Sequence, residues 1–231
     1  MRAFPGTGTR AAPGWHEILD RVRARRLLSL VAAAALATVA LTGCQTKVGL
    51  AASVNEVNLS DSDLSSYVQP GAKPFQTSSG QTIVQKTFAL QTWLLANNYA
   101  AAIEAHGGPA TDAENAAARS AELGTHQISE VEAQFTPYGF TAKMGDLQLF
   151  ELTRQVILTQ RLLGHGATAQ QAIAALQSSK ISSTQLHQAI QKAAPQVTVS
   201  PRYGTWSQDD LALRSEPRDG LPTFVQVGNT Q

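Results

Sequence analysis

The sequence predicts a mainly α-helical domain over residues 51–207 whose two end segments pair as short strands. Apolar residues recur at helical spacing over two long segments, 82–105 and 143–163. Shorter segments open with capping boxes, in which Ser or Thr is followed three residues later by Glu or Gln. A third observation is that residues 51–58 and 196–206 have sequences typical of β-strands. Each of these two segments lacks another partner, and an unpaired strand edge is a hazard, so we expect them to pair with each other.

The first 43 residues contain the three parts of a secretory signal peptide. Arginines precede the 15-residue run Leu27–Leu41, which is apolar except for two residues, and small residues follow it. This run is shorter than the ~20 residues with which a helix spans a bilayer. It ends in Leu41-Thr42-Gly43-Cys44, which resembles the lipobox of bacterial lipoproteins. The resemblance implies S-diacylglycerol on Cys44, cleavage before it and N-acylation of the new amino terminus.

Cys44 is the single cysteine of the chain, and it stands at the one position where a lipobox requires it. The alternative is a chance cysteine in an ordinary signal peptide or membrane anchor. One thiol cannot form an internal disulfide or a cysteine metal cluster.

Removal of residues 1–43 leaves 188 residues, about one domain, with 12 basic and 15 acidic side chains and a formal charge of −3. A weakly acidic chain gives no electrostatic reason to expect nucleic acid as a partner. The excess of basic over acidic residues in the full sequence comes from residues 1–43, the predicted leader.

After a short tether at 44–50, residues 51–58 are predicted to form one strand. Ser60 is a good N-cap for a short helix, because acidic residues follow it in the first turn. The sequence Gln69-Pro70-Gly71 ends that helix, and the stretch to Gly80 is predicted to be loop.

The segment 82–105 is predicted to be the first long helix, and its apolar arc is wide enough to be buried on two sides. Residues 106–109 contain two glycines and a proline that stop it. The second long helix, 143–163, has few polar positions and also looks central. Its apolar residues are Met144, Leu147, Phe150, Leu152, Val156, Ile157, Leu158, Leu162 and Leu163.

Four shorter helices are predicted around the long ones. Three of them open with the capping boxes Thr111/Glu114, Thr168/Gln171 and Ser182/Gln185 and are predicted at about 111–124, 169–178 and 183–193. The fourth is predicted at 126–135. Residues 196–206 are predicted to be an edge strand, because Pro201 cannot donate to a ladder. Residues 208–231 are predicted to be a flexible tail.

The two ends of the predicted domain carry a family resemblance. The segment Ala52–Leu64, with an Asp-Leu helix start, resembles the opening of the peptide-binding domain of the periplasmic chaperone SurA, of related foldase lipoproteins and of the trigger-factor C-terminal domain. Glu56 stands where that family commonly has a turn glycine. The closing Ser200-Pro-Arg-Tyr-Gly-Thr-Trp206 is similar to a signature of SurA-like lipoproteins in high-GC Gram-positive bacteria. The resemblance implies a helical peptide-binding fold.

Many members of that family carry a parvulin-type prolyl isomerase domain of about a hundred residues after the returning strand. Trp206 is followed here by 25 residues. We therefore expect the chaperone-like part alone, without isomerase activity.

The sequence contains no catalytic or cofactor-binding pattern. It has no Gly-x-Ser-x-Gly elbow and no phosphate loop. The histidines of the mature part lack metal-ligand spacing, and the acidic pairs are typical of solvated turns; these residues are His106, His126, His165, His187, Glu130 with Glu132, and Asp209 with Asp210. Tyr203, Trp206 and Trp93 could line a peptide groove or pack in the core and at its edges.

These observations predict a lipid-anchored protein on the extracytoplasmic face of the cell membrane that binds unfolded or exported polypeptides. It is expected to be neither an enzyme nor a cofactor- or metal-binding protein. The alternative is a structural or partner-binding envelope lipoprotein that uses the same helical surface for one specific protein.

Overall fold

The computed structural model describes residues 49–77, 80 and 82–214. Helices dominate this part of the chain, so the prediction of a mainly α-helical domain is confirmed. They are α1 (Asp61–Ser66), α2 (Gln85–Ala105), α3 (Asp112–Leu123), α4 (Ile128–Phe135), α5 (Ala142–Leu163), α6 (Ala169–Gln177) and α7 (Ser183–Ala193). Among the described residues, no helix combines the length and the apolar character that a membrane crossing requires.

Short antiparallel strands complete the fold. They are β1 (Leu50–Val54), β2 (Val57–Ser60), β3 (Phe75–Gln76), β4 (Thr82–Ile83), β5 (Val197–Val199), β6 (Thr205–Ser207) and β7 (Ala212–Arg214). One sheet has the order β2-β1-β5, while β3 with β4 and β6 with β7 form two-stranded pairs. The first long helix begins at Gln85 rather than Thr82, because the residues before it pair with β3.

The predicted single strand at 51–58 is wrong, because this segment folds as the hairpin β1–β2. Val54 pairs with Val57, so Asn55 and Glu56 form a two-residue turn. Asn55 has φ of 51°, a left-handed conformation that asparagine adopts more readily than most residues. The turn therefore forms without the glycine that is most common in such hairpins.

The two ends of the domain pair, as predicted, although within a three-stranded sheet. Strand β1 is antiparallel to β5, and Ala52 lies opposite Val199. Asn55 extends this pairing with two hydrogen bonds: its backbone N–H donates to Gln196 O at 2.7 Å, and its Oδ1 accepts from Gln196 N at 2.8 Å.

The returning segment 196–206 is not one continuous strand. Strand β5 ends at Val199, and Pro201–Tyr203 form a single 3₁₀ turn, which suits proline because its φ is fixed and its missing N–H is not needed there. Strand β6 then pairs with β7, so residues 208–214, which were assigned to the tail, belong to a hairpin. The remainder of the predicted tail, 215–231, lies outside the described residues.

The two long helices are central, as their wide apolar arcs predicted. In α2, the eight consecutive residues from Thr92 to Tyr99 are all buried. At the start of α2, Gln85 Nε2 donates to Tyr138 O at 2.9 Å, close to the start of α5. At its end, Arg161 Nη1 of α5 donates to Gly107 O at 3.3 Å. The helices therefore run in the same direction, and their C-terminal halves share a core with α6 and α7.

Candidate functional site

The predicted lipid-attachment residue, Cys44, lies outside the described residues, as do the leader 1–43 and the first part of the tether. The sequence alone supports that site. The structure of the folded domain instead describes the two end motifs and the exposed apolar side chains.

The two motifs that carry the family resemblance are in direct contact. Tyr203 Oη donates a hydrogen bond to Asp61 Oδ1 at 2.9 Å, and Arg202 forms an ion pair with Asp61 Oδ2. The Arg202 guanidinium carbon also lies 5.2 Å from the centroid of the Tyr203 ring. Asp61 is the first residue of α1, where the helix dipole favours a negative charge. The closing motif is therefore attached to the first turn of the opening helix.

The aromatic residues that could have lined a peptide groove take packing roles. Trp93 is buried within α2. Trp206 packs against the main core, and its Nε1 donates to Gln208 Oε1 at 2.8 Å. Tyr203 is engaged with Asp61. Each of the three is therefore engaged in packing or in a hydrogen bond within the described part of the chain.

The four candidate histidines lie at separate places, and among the described residues no three His, Cys, Asp or Glu side chains form a group that could hold a metal ion. His106 Nδ1 contacts Ala102 O at 2.8 Å, as expected of a histidine at a helix end. His126 pairs with Glu130 at 2.8 Å. Burial lowers the pKa of His187, and His165 is exposed.

The acidic pairs do not form catalytic dyads in the described structure. Glu130 is paired with a histidine, whereas the backbone of Glu132 packs against Gly145, where an added Cβ would lie 2.7 Å from Glu132 Cα. Asp210 accepts from Ser207 Oγ at 2.9 Å and pairs with Arg214. Burial by itself would raise the pKa of Asp210. The hydrogen bonds from Arg214 and Ser207 and the Arg214 charge outweigh it, so the pKa lies below its usual value.

Large apolar side chains are exposed at three places in the described residues: Val57, Tyr138 and Phe150. Val57 follows the β1–β2 turn. Tyr138 lies over Phe75, with ring centroids 4.9 Å apart, and Phe75 in turn contacts Phe140 at 6.2 Å. Tyr138 is therefore the exposed edge of an aromatic cluster at the start of α5.

Phe150 is one of the apolar residues of the second long helix, which was predicted to be central, yet it lies at the surface of that helix. Its side chain is 37% exposed, while Leu147 and Val156 of the same helix are buried. The guanidinium of Arg154, one turn later, lies 3.8 Å from the centroid of the Phe150 ring. The i, i+4 spacing of an aromatic residue and an arginine was the sequence signal for this pair, and sequence reasoning had missed it.

Arg154 is half-buried between the two long helices. Its Nη1 donates to Ala96 O of α2 at 3.5 Å, which is a weak hydrogen bond. Burial lowers the pKa of Arg154 to about 10, because a desolvated guanidinium is less stable as a cation. The Phe150–Arg154 pair therefore combines an exposed apolar ring with a partly desolvated positive charge.

A separate open cleft of about 490 Å³ lies at the C-terminal end of α5. Its lining combines small and apolar side chains with two cationic or titratable ones, His165 and Lys180. It shares no residue with the Phe150–Arg154 pair or with the joined end motifs.

Comparison of the chain with protein-family models, with curated proteins and with solved structures found no match.

Proposed function

We propose that this protein is a lipid-anchored lipoprotein of the cell envelope whose SurA-like N-terminal (chaperone) domain holds unfolded or exported polypeptides without isomerase activity. It faces the extracytoplasmic side of the cell membrane, and Cys44 carries the lipid. Its clients are extended apolar segments, and binding requires no cofactor.

The contact between the two end motifs is the observation that carries this proposal. The family resemblance rests on two segments far apart in the sequence, and chance similarities would have no reason to meet. Tyr203 and Asp61, which are 142 residues apart, are joined by a 2.9 Å hydrogen bond. The pairing of β1 with β5 brings the same two segments together a second time. Both contacts support a domain closed by its ends, as the resemblance implies.

The surface properties of the domain favour weak binding of apolar segments. The mature chain has a formal charge of only −3. Tyr138, in the 3₁₀ turn Thr136–Tyr138 before α5, and Phe150, within α5, expose aromatic surface. An aromatic ring offers a large apolar area with little conformational entropy to lose. A protein that binds unfolded chains in preference to native ones suppresses their aggregation by mass action.

Replacement of Cys44 by Ala tests the anchor. We expect Cys44→Ala to abolish labelling by a fatty-acid probe and to leave uncleaved precursor or released protein, because the thiol that accepts diacylglycerol is gone. Two acyl chains anchor a protein firmly, whereas one binds marginally, at ~0.8 kcal/mol per buried methylene. Ser29→Ala, within the same apolar run, is the control and should label normally. Labelling of the Cys44→Ala protein would refute lipidation at this residue.

Aggregation of chemically denatured client proteins tests the holding activity. Several unrelated clients are diluted into buffer with excess full-length protein in lipid nanodiscs, with empty nanodiscs as the control, and light scattering is followed. We expect scattering to fall for most clients, and the rate of prolyl isomerisation of a short peptide to remain uncatalysed. Unchanged aggregation of every client would refute the holding function, and accelerated isomerisation would refute the proposed lack of isomerase activity.

The alternative of a partner-binding envelope lipoprotein is favoured by one observation. The exposed large apolar residues of the described structure are few, and one of them adjoins a charged arginine, which suits selective recognition. Protection of a single envelope protein, with no effect on unrelated clients, would support this alternative.

A further inference from the structure

Arg154 differs from the other arginines of the described residues in its lack of a carboxylate partner. The other four form ion pairs with acidic side chains: Arg119 with Asp146, Arg161 with Glu114, Arg202 with Asp61, and Arg214 with Asp210. Arg154 contacts a backbone carbonyl and an aromatic ring. Its charge is therefore not neutralised by any acidic side chain in the described ranges.

The nearest acidic residue along the helix does not change this conclusion. Glu151 is buried, and its Oε2 accepts a hydrogen bond from Gln148 Nε2 at 2.7 Å. No ion pair joins Glu151 to Arg154 within residues 49–77, 80 and 82–214. The lowered pKa of Arg154 has burial as its cause, which agrees with a guanidinium that has lost water without gaining an anion.

A half-buried and unpaired guanidinium is unusual, because the loss of hydration is normally offset by an opposite charge. The ring of Phe150 and the carbonyl of Ala96 offset part of this loss. A guanidinium has five N–H donors in a planar fork, and the contact with Ala96 uses one of them at a long distance. Within the described residues Arg154 makes no further hydrogen bond, so its remaining N–H donors are available to a ligand.

We propose that Arg154 and Phe150 form a binding site for a carboxylate that stands next to an apolar side chain of a polypeptide. The planar fork of Arg154 matches the two oxygens of a carboxylate, and the exposed part of the Phe150 ring supports the apolar neighbour. The inference rests on the proposed function and specifies which segments of the clients are bound. The carboxylate comes from the C-terminus of the polypeptide or from an Asp or Glu side chain.

The test uses three fluorescent peptides with the same apolar core and the full-length protein. The first ends in a free carboxylate after Leu, the second is amidated but has Glu beside Phe, and the third is amidated with Gln in place of that Glu. Fluorescence anisotropy gives the dissociation constant of each. We expect at least one carboxylate peptide to bind about tenfold more tightly than the neutral one, because an ionised partner strengthens a hydrogen bond. The preference for the first or the second peptide identifies the source of the carboxylate.

Substitutions test whether the preference for a carboxylate peptide arises at Arg154 and Phe150. Arg154→Gln should bind all three peptides with the affinity of the neutral one, while Arg154→Lys should keep part of the preference, since it retains the charge without the fork. Arg119→Gln removes a charge from an arginine that already has a carboxylate partner, and it should leave the preference unchanged. Phe150→Ala should weaken binding of all three peptides. Circular dichroism of each variant verifies folding, and Arg154→Lys tests the site if Arg154→Gln does not fold.

The outcomes separate this inference from the proposed function. Equal affinity for the three peptides, or a carboxylate preference that survives in Arg154→Gln, would overturn the inference while leaving the holding of apolar segments intact. No binding of any peptide, together with unchanged client aggregation, would overturn the proposed function itself.

Discussion

Leu211 packs the β6–β7 hairpin against the main core, and its replacement by Ala should destabilise the whole domain. Its side chain is 3% exposed and belongs to the core shared by α2, α5, α6 and α7. Gln91 of α2 also binds the hairpin twice: Gln91 Nε2 donates to Leu211 O at 2.8 Å, and Gln91 Oε1 accepts from Leu213 N at 2.6 Å. A flexible tail would make none of these contacts.

The expected cost follows from the buried side chain. Leu→Ala substitutions in cores cost about 2–5 kcal/mol, and at the edge of a core, where neighbours can fill the space, we expect the lower part, ~2–3 kcal/mol. At about 2–4 °C per kcal/mol for a domain of this size, the melting temperature should fall by roughly 5–10 °C. Leu213→Ala is the matched control, because Leu213 lies in the same hairpin but is half-buried. It should cost less than Leu211→Ala.

A second substitution at the same position tests the left-handed backbone conformation of Leu211. Leu211 has φ of 49°, a left-handed conformation that is unfavourable for a leucine. Ala keeps this strain, whereas Gly relieves ~1–2 kcal/mol of it and loses ~0.5–1 kcal/mol through the entropy of the unfolded chain. Leu211→Gly should therefore be at least as stable as Leu211→Ala, the reverse of the usual order.

Urea unfolding of the full-length variants, followed by circular dichroism, measures these differences. A loss below ~0.5 kcal/mol for Leu211→Ala, or the same loss as for Leu213→Ala, would mean that the hairpin contributes no core packing. Such a result would refute the inclusion of residues 208–214 in the folded domain.

Two further substitutions test the contacts that close the domain. Tyr203→Phe removes the hydroxyl that donates to Asp61 and should cost about 1 kcal/mol, discounted for partial exposure; Tyr138→Phe, whose hydroxyl has no hydrogen bond in the described residues, should be close to neutral in the same urea titration. Equal costs for the two tyrosines would contradict a stabilising contact between the end motifs. Gly139 has φ of 82°, and an added Cβ would lie 2.7 Å from a neighbouring side-chain methyl, whereas Gly71 has φ of 75° and open space around it. Gly139→Ala should therefore destabilise by ~1–2 kcal/mol more than Gly71→Ala, because it adds a steric clash to the same backbone strain. A thermal melt with equal losses for both glycines would refute the close approach at Gly139.

Helix starts could be predicted from the sequence, because their determinants are only three residues apart. At Thr111, Thr168 and Ser182, the hydroxyl accepts from the backbone N–H three residues later, and the Glu or Gln there accepts from the cap residue. The width of the apolar arc in α2 likewise predicted a helix buried on two sides. These features depend on periodicity and on short-range hydrogen bonds, which the sequence displays directly.

The turn at Asn55 could be identified only in the folded chain. Asn55-Glu56 is a weak hairpin signal, and the turn is held from outside by Gln196, which is 141 residues away. Strand β7 was likewise missed, since three residues carry too little pattern to indicate a strand. Its place in the fold comes from Gln91, 122 residues before Leu213.

The sequence by itself determined that the chain forms mainly helices, where most of them start and stop, and that its ends should pair. Tertiary structure decided which apolar residues those helices bury, because periodicity assigns a residue to a face of a helix but does not say which faces the neighbouring elements cover. Phe150 has the spacing of a core residue and yet lies exposed beneath Arg154. The charge of Arg154 has no carboxylate partner within the described ranges for the same reason. Which acidic side chains come within reach of an arginine depends on the packing of whole helices, and this packing is set by contacts between residues far apart in the chain.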